Sequence, residues 1–179
     1  MAGEGLNLNG FILVLPIILI RYCLLGILSK EAAKRAAFFP PTEGKEKIAF
    51  WIYQITTLSL MIILIFLKIK LNHVLNFIGL GTCIIGIILY MIAMIHFAKP
   101  DQNGLNAGGL YKISRNPMYL AFFLYFLGGS MLTSSWLLLF ILMIFQISVH
   151  YLILSEERWC IKEFGEEYKN YMNTVKRYL

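Results

Sequence analysis

Residues 118–154, MYLAFFLYFLGGSMLTSSWLLLFILMIFQISVHYLIL, form the apolar block that decides how often this chain crosses a membrane. A helix needs roughly 20 apolar residues to cross a hydrocarbon core about 30 Å thick, so this block is too long for one crossing. The small and polar residues GGSMLTSSW at 128–136 are typical of a turn. The block therefore predicts a tight hairpin of two helices, one near 118–132 and one from about 135.

Three further apolar blocks, at 10–28, 48–67 and 75–97, also reach the length of a membrane span. Hydrophobic residues make up 59% of the 179 residues and charged residues only 15%. Soluble domains have about a quarter of their residues charged, so this composition does not suit a water-facing surface. The sequence predicts an all-α, polytopic membrane protein with five transmembrane helices, folded as a single domain over 1–179.

The placement of lysine and arginine predicts how these helices are oriented. Segments 29–47, 98–117 and 155–179 carry 13 of these residues, whereas the connections on the other side carry only Lys68 and Lys70. Cytoplasmic loops are enriched in lysine and arginine, so we expect the N-terminus outside and the C-terminus inside. Loop charge also accounts for the net charge of +6, and membrane lipids rather than nucleic acid are the expected partners. No group of His, Cys, Asp or Glu has metal-ligand spacing, so no metal is expected.

Polar residues near the end of the last apolar helix are candidates for a binding site. Gln146 and His150 are four residues apart and Glu157 lies seven further on, so a continuous helix places them on one stripe beside Glu156. Two adjacent carboxylates at this point indicate either a solvated helix end or a site for a cationic or polyhydroxyl ligand. Arg21, within the first span, either snorkels to the interface or contributes to an acceptor site. The candidates for a substrate cavity are His150, Gln146 and Arg21.

The polar stretch GLYKISRNPMYL at 109–120 separates two apolar blocks. Pro117 suits the first turn of a helix, and Asn116 before it can cap that helix. Free N–H groups at a helix start favour anions and polar ligand atoms, and Arg115 adds a fixed positive charge. The two tyrosines of the stretch supply flat aromatic faces that can stack on a planar base. The alternative is an interfacial turn with its aromatic belt.

This stretch, the hairpin, and EERWCIKEFGEEYKNYMNTVKRYL at 156–179 together resemble the isoprenylcysteine carboxyl methyltransferase and phospholipid methyltransferase superfamily. Members of that superfamily of membrane enzymes share G-x-Y-x-x-x-R-H-P-x-Y, a helical hairpin, and E-E-x-x-L-x-x-x-F-G-x-E-Y-x-x-Y. The resemblance covers about 98–179, which it implies to be the cofactor-binding half of the chain.

The resemblance implies methyl transfer from S-adenosylmethionine to a lipophilic acceptor, either an isoprenylcysteine-type carboxylate or a phospholipid amine. It implies an active site facing the cytoplasm, in a plasma membrane or an endoplasmic-reticulum-type membrane. Glu156 would be the cofactor-binding carboxylate, and the tail residues Phe164, Gly165, Tyr168 and Tyr171 would close over the pocket. The implied cofactor-binding residues are Leu105, Asn106, Tyr111, Arg115, Asn116, Pro117, Tyr119, Glu156 and Glu157.

Three positions depart from the pattern of the superfamily, and one of them, Cys160 in place of the usual leucine, is a mild apolar change. Asn116 stands where His is usual, and asparagine can form hydrogen bonds but cannot act as a base near neutral pH. Leu152 stands where prenylcysteine-specific members carry an arginine, so a carboxylate acceptor is less well provided for. No catalytic residue is defined, and Arg115 and Asn116 are the candidates. The alternative functions are a non-catalytic helical membrane scaffold and a sterol-reductase-like enzyme, although such reductases are generally longer.

Overall fold

A computed structural model of the chain describes residues 8–179, and residues 1–7 of the expected single domain lie outside the described residues. The described part is helical, and its one strand-type pairing is an isolated bridge between Asn9 and Lys68. A short 3₁₀ turn covers Gly109–Lys112. The helices are α1 (Phe11–Leu28), α2 (Lys30–Ala37), α3 (Lys45–Phe66), α4 (Val74–Phe97), α5 (Pro117–Thr133), α6 (Trp136–Phe164) and α7 (Glu166–Thr174).

Within the described part of the chain, four helices, α1, α3, α4 and α6, are long and apolar enough to cross a membrane. The fifth helix of the expected set is α5, which is apolar but has only 17 residues. The break inside the longest apolar block falls between Thr133 and Trp136, where Ser134 has a positive φ of 51°. The turn residues in the sequence therefore locate the hairpin correctly.

The chain ends and loops gather at two opposite ends of the helical bundle. At one end, Gly10 N donates to Leu67 O at 2.8 Å, and Ile69 N donates to Leu8 O at 2.9 Å. At the same end, Lys70 N donates to Leu132 O at 2.9 Å. The start of α1, the end of α3 and the end of α5 therefore lie together. The opposite end, which we call the basic end, contains segments 29–47, 98–117 and 155–179.

Helices α4 and α5 pack closely because glycines face each other across the contact. A Cβ atom on Gly86 would lie 2.6 Å from Tyr125 N, and one on Gly128 would lie 2.5 Å from Cys83 N. Small residues permit such close backbone approach between membrane helices, where van der Waals packing drives association. The Asn76 side-chain amide adds a hydrogen bond between the two helices, since it donates to Met131 O at 2.8 Å. These two helices form a tightly fitted pair.

Helix α6 packs against α3, and their contact forms the centre of the hydrophobic core. Phe145 on α6 is fully buried, and its ring lies 5.6 Å from that of Tyr53 on α3 and 5.0 Å from that of Phe122 on α5. Helix α1 joins this core near the end opposite the basic end, where the Tyr125 hydroxyl donates to Leu13 O. The packed helices leave a space toward the basic end.

The glycine contact predicts a site-specific response to a single methyl group. Gly86→Ala should lower the Tm in detergent by about 2–10 °C, because the added Cβ forces α4 and α5 apart. Gly81→Ala on the same helix should leave the Tm unchanged or raise it, since nothing lies within 4 Å of its Cβ position and alanine favours helix. A thermal melt followed by tryptophan fluorescence compares the two variants. Equal Tm values for the two variants would contradict the close-contact interpretation.

Candidate functional site

A cavity of about 930 Å³ opens at the basic end of the bundle. This volume is at the upper end of the roughly 300–1,000 Å³ typical of sites for small molecules. Side chains from α1, α3, α4, α5 and α6 form its deeper walls, and α2, the loop 103–106 and α7 surround its mouth. Its mouth is polar, whereas its deeper part is lined by apolar side chains such as Met61, Phe122 and Phe145.

One side of the cavity is fixed by a salt-bridge network of three side chains. Arg115 Nη2 lies 2.6 Å from Glu157 Oε1, and the two side chains are only 8% and 6% exposed. Arg177 Nη2 lies 2.6 Å from the other carboxylate oxygen of Glu157. Two arginines therefore balance this one carboxylate, and Glu157 is held rather than free.

The same arginine also fixes the C-terminal tail. Arg115 Nη1 donates to Met172 O at 3.0 Å and to Val175 O at 2.7 Å, and its main-chain N donates to Lys176 O at 3.0 Å. Arg115 thus uses most of its donors on protein groups. It positions the tail and α7 across the cavity mouth.

Asn116 occupies the position before α5, but its side chain makes no capping hydrogen bond. The expectation of side-chain capping is therefore wrong. The reason is that the amide donates instead to Arg177 O at 3.0 Å, where it helps to hold the tail. The Ser114 hydroxyl donates to the same carbonyl at 3.3 Å. Asn116 still lines the cavity beside Arg115.

Glu156 differs from its neighbour because no basic side chain pairs with it among residues 8–179. It is half-buried and lines the cavity, and the Tyr119 hydroxyl donates to its Oε1 at 2.7 Å. A carboxylate in such a place gains most from a cation or from donating hydroxyl groups. Of the two adjacent carboxylates, Glu156 is the one available to a ligand.

Three of the buried polar atoms that lack a hydrogen-bond partner within residues 8–179 belong to residues that line this cavity: Thr57 Oγ1, Asn106 Oδ1 and the Tyr111 hydroxyl. An unpartnered buried polar group costs about 1–3 kcal/mol, so native structures rarely retain one without a reason. Burial raises the pKa of Tyr111 well above its usual range, which keeps its hydroxyl a neutral donor. These atoms are suited to a polar ligand.

The loop before the 3₁₀ turn is anchored to α7. The Asp101 carboxylate accepts hydrogen bonds from Asn103 N at 3.0 Å and Leu105 N at 2.8 Å, which shapes the loop. The Asn103 amide donates to Glu167 on α7 at 2.9 Å. Leu105 packs in a small buried cluster with Tyr168 and Tyr171. The loop and α7 thus form one continuous wall.

Gly109 begins the short turn that carries Tyr111, and it lies against the imidazole ring of His96. Its φ is +58°, and a Cβ there would lie 2.3 Å from the His96 ring. His96 Nδ1 accepts a hydrogen bond from Leu110 N at 3.1 Å, so this histidine supports the turn. Only glycine meets both the backbone conformation and the space at position 109.

The structure brings most of the sequence-predicted site residues to this one cavity. Pro117 is an exception, since it is buried in the first turn of α5 and does not line the cavity. The predicted residues that do line it are Leu105, Asn106, Tyr111, Arg115, Asn116, Tyr119, Glu156 and Glu157.

The three substrate-cavity candidates separate in the structure. Arg21 lines the large cavity. Gln146 and His150 lie instead beside a separate groove of about 370 Å³, where His150 Nδ1 is 2.8 Å from the Tyr178 hydroxyl. The tail covers this part of the α6 stripe, so helical spacing alone does not bring Gln146 and His150 to the same space as Glu157.

Several cavity residues come from segments to which the sequence reasoning assigned no site. Tyr53 and Tyr90 are buried tyrosines within apolar helices, and a tyrosine at a buried position of a span is the signal that could have indicated them. Arg35 on α2 donates to Phe97 O at 2.9 Å and lies 5.0 Å from the Phe97 ring. It closes the cavity mouth from the side of α2.

Comparison with known proteins identifies one family. The sequence model described as "Phospholipid methyltransferase" matches residues 74–167, from the first residue of α4 into the first turn of α7. No curated protein and no solved structure matches the chain. The matched range includes the stretch 109–120 and the paired glutamates, so the resemblance inferred from those motifs is confirmed.

Because the Tyr111 hydroxyl has no partner, we expect its removal to affect ligand binding without lowering the stability of the free protein. Tyr111→Phe should leave the Tm of the ligand-free protein unchanged or higher, because it removes a buried donor without a partner. With S-adenosylmethionine, the cofactor that the sequence resemblance implies, the same variant should show a smaller rise in Tm than the wild type.

Tyr171→Phe is the matched control, since its hydroxyl donates to Tyr111 O at 2.6 Å. That variant should lose about 1–3 kcal/mol and melt several degrees lower even without ligand. A free Tyr111→Phe protein that melts as low as Tyr171→Phe would show that the Tyr111 hydroxyl has a structural role.

Proposed function

Because the chain belongs to the phospholipid methyltransferase family, we propose that it is an integral membrane enzyme that transfers a methyl group from S-adenosylmethionine to a lipophilic acceptor. The observation that carries this proposal is the single cavity at the basic end. It joins the unpaired carboxylate of Glu156 and several unpartnered polar atoms to an apolar space that reaches the outer surface of the helices.

The polar part of the cavity fits the chemistry of S-adenosylmethionine, which carries an adenine, ribose hydroxyls and an amino-acid group. When bound, it supplies a methyl group activated by a positively charged sulfonium. Glu156 would accept hydrogen bonds from hydroxyls or balance the positive charge. Asn106 and Tyr111 would supply the hydrogen bonds that the protein itself leaves open. The rings of Phe164 and Tyr168 at the mouth offer faces for a planar base.

The remaining residues of the motif act by positioning. Arg115 and Arg177 hold Glu157 and the tail, so that α7 covers the mouth and excludes water. Displacement at a sulfonium depends on alignment and on exclusion of water more than on a strong base. Asn116 can orient a ligand through hydrogen bonds without accepting a proton, so its place in the motif is consistent with this chemistry.

The acceptor would reach the cavity from the bilayer, between α1 and α3. Tyr22 on α1 and Leu58 on α3 line the cavity, yet they are 69% and 60% exposed. The cavity therefore reaches the outer apolar surface at this point. A lipophilic molecule can enter sideways here while the cofactor enters at the polar mouth. Position 152 of α6 is a buried leucine and so offers no cation for a carboxylate at that place, and both a carboxylate and a phospholipid amine remain candidates for the methylated group.

The proposed topology has five spans with the basic end in the cytoplasm. Helix α5 is about 26 Å long at 1.5 Å per residue, close to the thickness of the hydrocarbon core, and it pairs with α4 over its length. The 13 lysines and arginines at the basic end favour its cytoplasmic location. The cavity would then open to the cytoplasm of a plasma membrane or an endoplasmic-reticulum-type membrane.

The assignment of Glu156 is tested by a substitution that removes the carboxylate but keeps the shape of the side chain. Glu156→Gln should weaken binding of S-adenosylmethionine by about 10- to 100-fold, because a charged hydrogen-bond acceptor is lost. Glu166→Gln is the control, since that carboxylate is exposed, pairs with Lys169 and does not line the cavity. Isothermal titration calorimetry of the purified proteins measures both. Unchanged affinity in Glu156→Gln would remove Glu156 from the cofactor site.

The activity itself is tested with a labelled methyl donor. Incubation of the membrane-reconstituted protein with methyl-labelled S-adenosylmethionine and a total lipid extract should yield a labelled lipid. Chromatography of that product identifies the acceptor. A protein that binds the donor but labels no lipid would refute a lipid acceptor, and a protein that does not bind it would favour the non-catalytic scaffold.

A further inference from the structure

Arg21 is the only basic residue in the first apolar block, residues 10–28. The backbone around it departs from a regular α-helix. Residues 19–24 form a wider π-type turn inside α1. Such turns are rare in proteins overall. Where they occur, they are often found at functional sites. The side chain of Arg21 lines the large cavity between α1 and the rest of the bundle.

The guanidinium of Arg21 is poorly satisfied by the protein. Within residues 8–179, Nη2 donates to Ala36 O at 3.2 Å and the guanidinium also lies within reach of the Tyr90 hydroxyl, but it forms no ion pair with a described residue. A guanidinium has five N–H donors, so most of its capacity remains open. A cation within a membrane span is costly, and such residues usually face a cavity and pair there with an opposite charge or with backbone carbonyls.

The other arginines near the cavity are already committed. Arg115 and Arg177 share Glu157, and Arg35 donates to the Phe97 and Gly104 carbonyls. Arg158 pairs with Glu46 outside the cavity. Among the described arginines that line the cavity, Arg21 and Arg35 lack a carboxylate partner, and Arg35 is held at the mouth by two carbonyl oxygens whereas Arg21 donates to one.

An acidic and a basic side chain without an ion-pair partner therefore face the cavity from different walls. Glu156 projects from α6 beside Tyr119, and Arg21 projects from α1 near Tyr53 and Tyr90. Burial raises the pKa of Glu156 to about 7, and a cationic methyl donor beside it would favour its charged form. The positive charge lies on the wall beside the opening between α1 and α3, next to Tyr22.

We propose that Arg21 is the specificity residue of the acceptor site, and that it binds an anionic group, a phosphate or a carboxylate, on the lipophilic acceptor. This inference rests on the proposed function and names the class of its substrate. About seven residues separate Arg21 from the end of α1 at Leu28, which is about 10 Å along the helix. An anionic lipid that enters between α1 and α3 would place its headgroup at Arg21 while its chains stay in the bilayer.

The test measures binding of simple amphiphiles and needs no turnover. The probes are dodecyl phosphate, dodecanoate and dodecanol, titrated against the full-length protein in nanodiscs of phosphatidylcholine and followed by calorimetry. The wild type should bind at least one anionic probe about 10- to 100-fold more tightly than dodecanol. The better anionic probe distinguishes a phosphate site from a carboxylate site.

Substitutions then assign the preference to Arg21. Arg21→Gln should abolish the preference for the anionic probe, and Arg21→Lys should keep most of it because the charge remains. Lys68→Gln, an exposed residue at the opposite end, removes the same charge and should change nothing. An intact preference in Arg21→Gln, or no preference in the wild type, would overturn the proposal.

Donor binding separates this proposal from the proposed function. Arg21→Gln should bind S-adenosylmethionine within about twofold of the wild type, which also shows that the variant is folded. If Arg21→Gln is unfolded, the test uses Arg21→Lys, which keeps the positive charge. Loss of the anion preference in Arg21→Lys, together with normal donor binding, would overturn the proposal. An anion preference that depends on Arg21 in a protein without donor affinity would support the anion site and refute the methyltransferase.

Discussion

The carboxylate of Glu157, nearly buried and shared by Arg115 and Arg177, is the interaction on which the site depends. It joins three separate parts of the chain: the turn before α5, the end of α6 and the C-terminal tail. Leaving a buried charge without its partner costs about 3–5 kcal/mol, so none of the three parts can move away independently. The cavity mouth is consequently built from segments that are distant in sequence and fixed to one another by charge.

This arrangement divides the work of two neighbouring glutamates. Glu157 is fully used in holding the protein together, and that leaves Glu156, one residue earlier, free to face the cavity beside Tyr119. Adjacent residues on a helix point about 100° apart, so one can face the tail while the other faces the ligand space. The paired glutamates of the motif are thus two residues with separate roles.

Much of this could be predicted from the sequence, since apolar length, turn residues and motif spacing are local properties. The hairpin break and the convergence of the stretch 109–120 with the paired glutamates are of this kind. The absence of side-chain capping by Asn116 was not predictable, because its amide donates to a carbonyl oxygen 61 residues away. The separation of Gln146 and His150 from the cavity depends in the same way on Tyr178, and the contribution of Tyr53 and Tyr90 depends on how the helices pack. Helical periodicity gives the face of a residue but not the neighbour that covers it.

Apart from the side chains of Arg177 and Tyr178, the tail is held through its main chain. Arg115 and Asn116 together contact the carbonyl oxygens of Met172, Val175, Lys176 and Arg177. Carbonyl oxygens are common to all amino acids, so most side chains in this stretch can diverge during evolution without loss of these hydrogen bonds. A one-residue deletion is a different matter, because it would shift every carbonyl out of register at once. The length of this segment, more than its composition, is what selection would preserve.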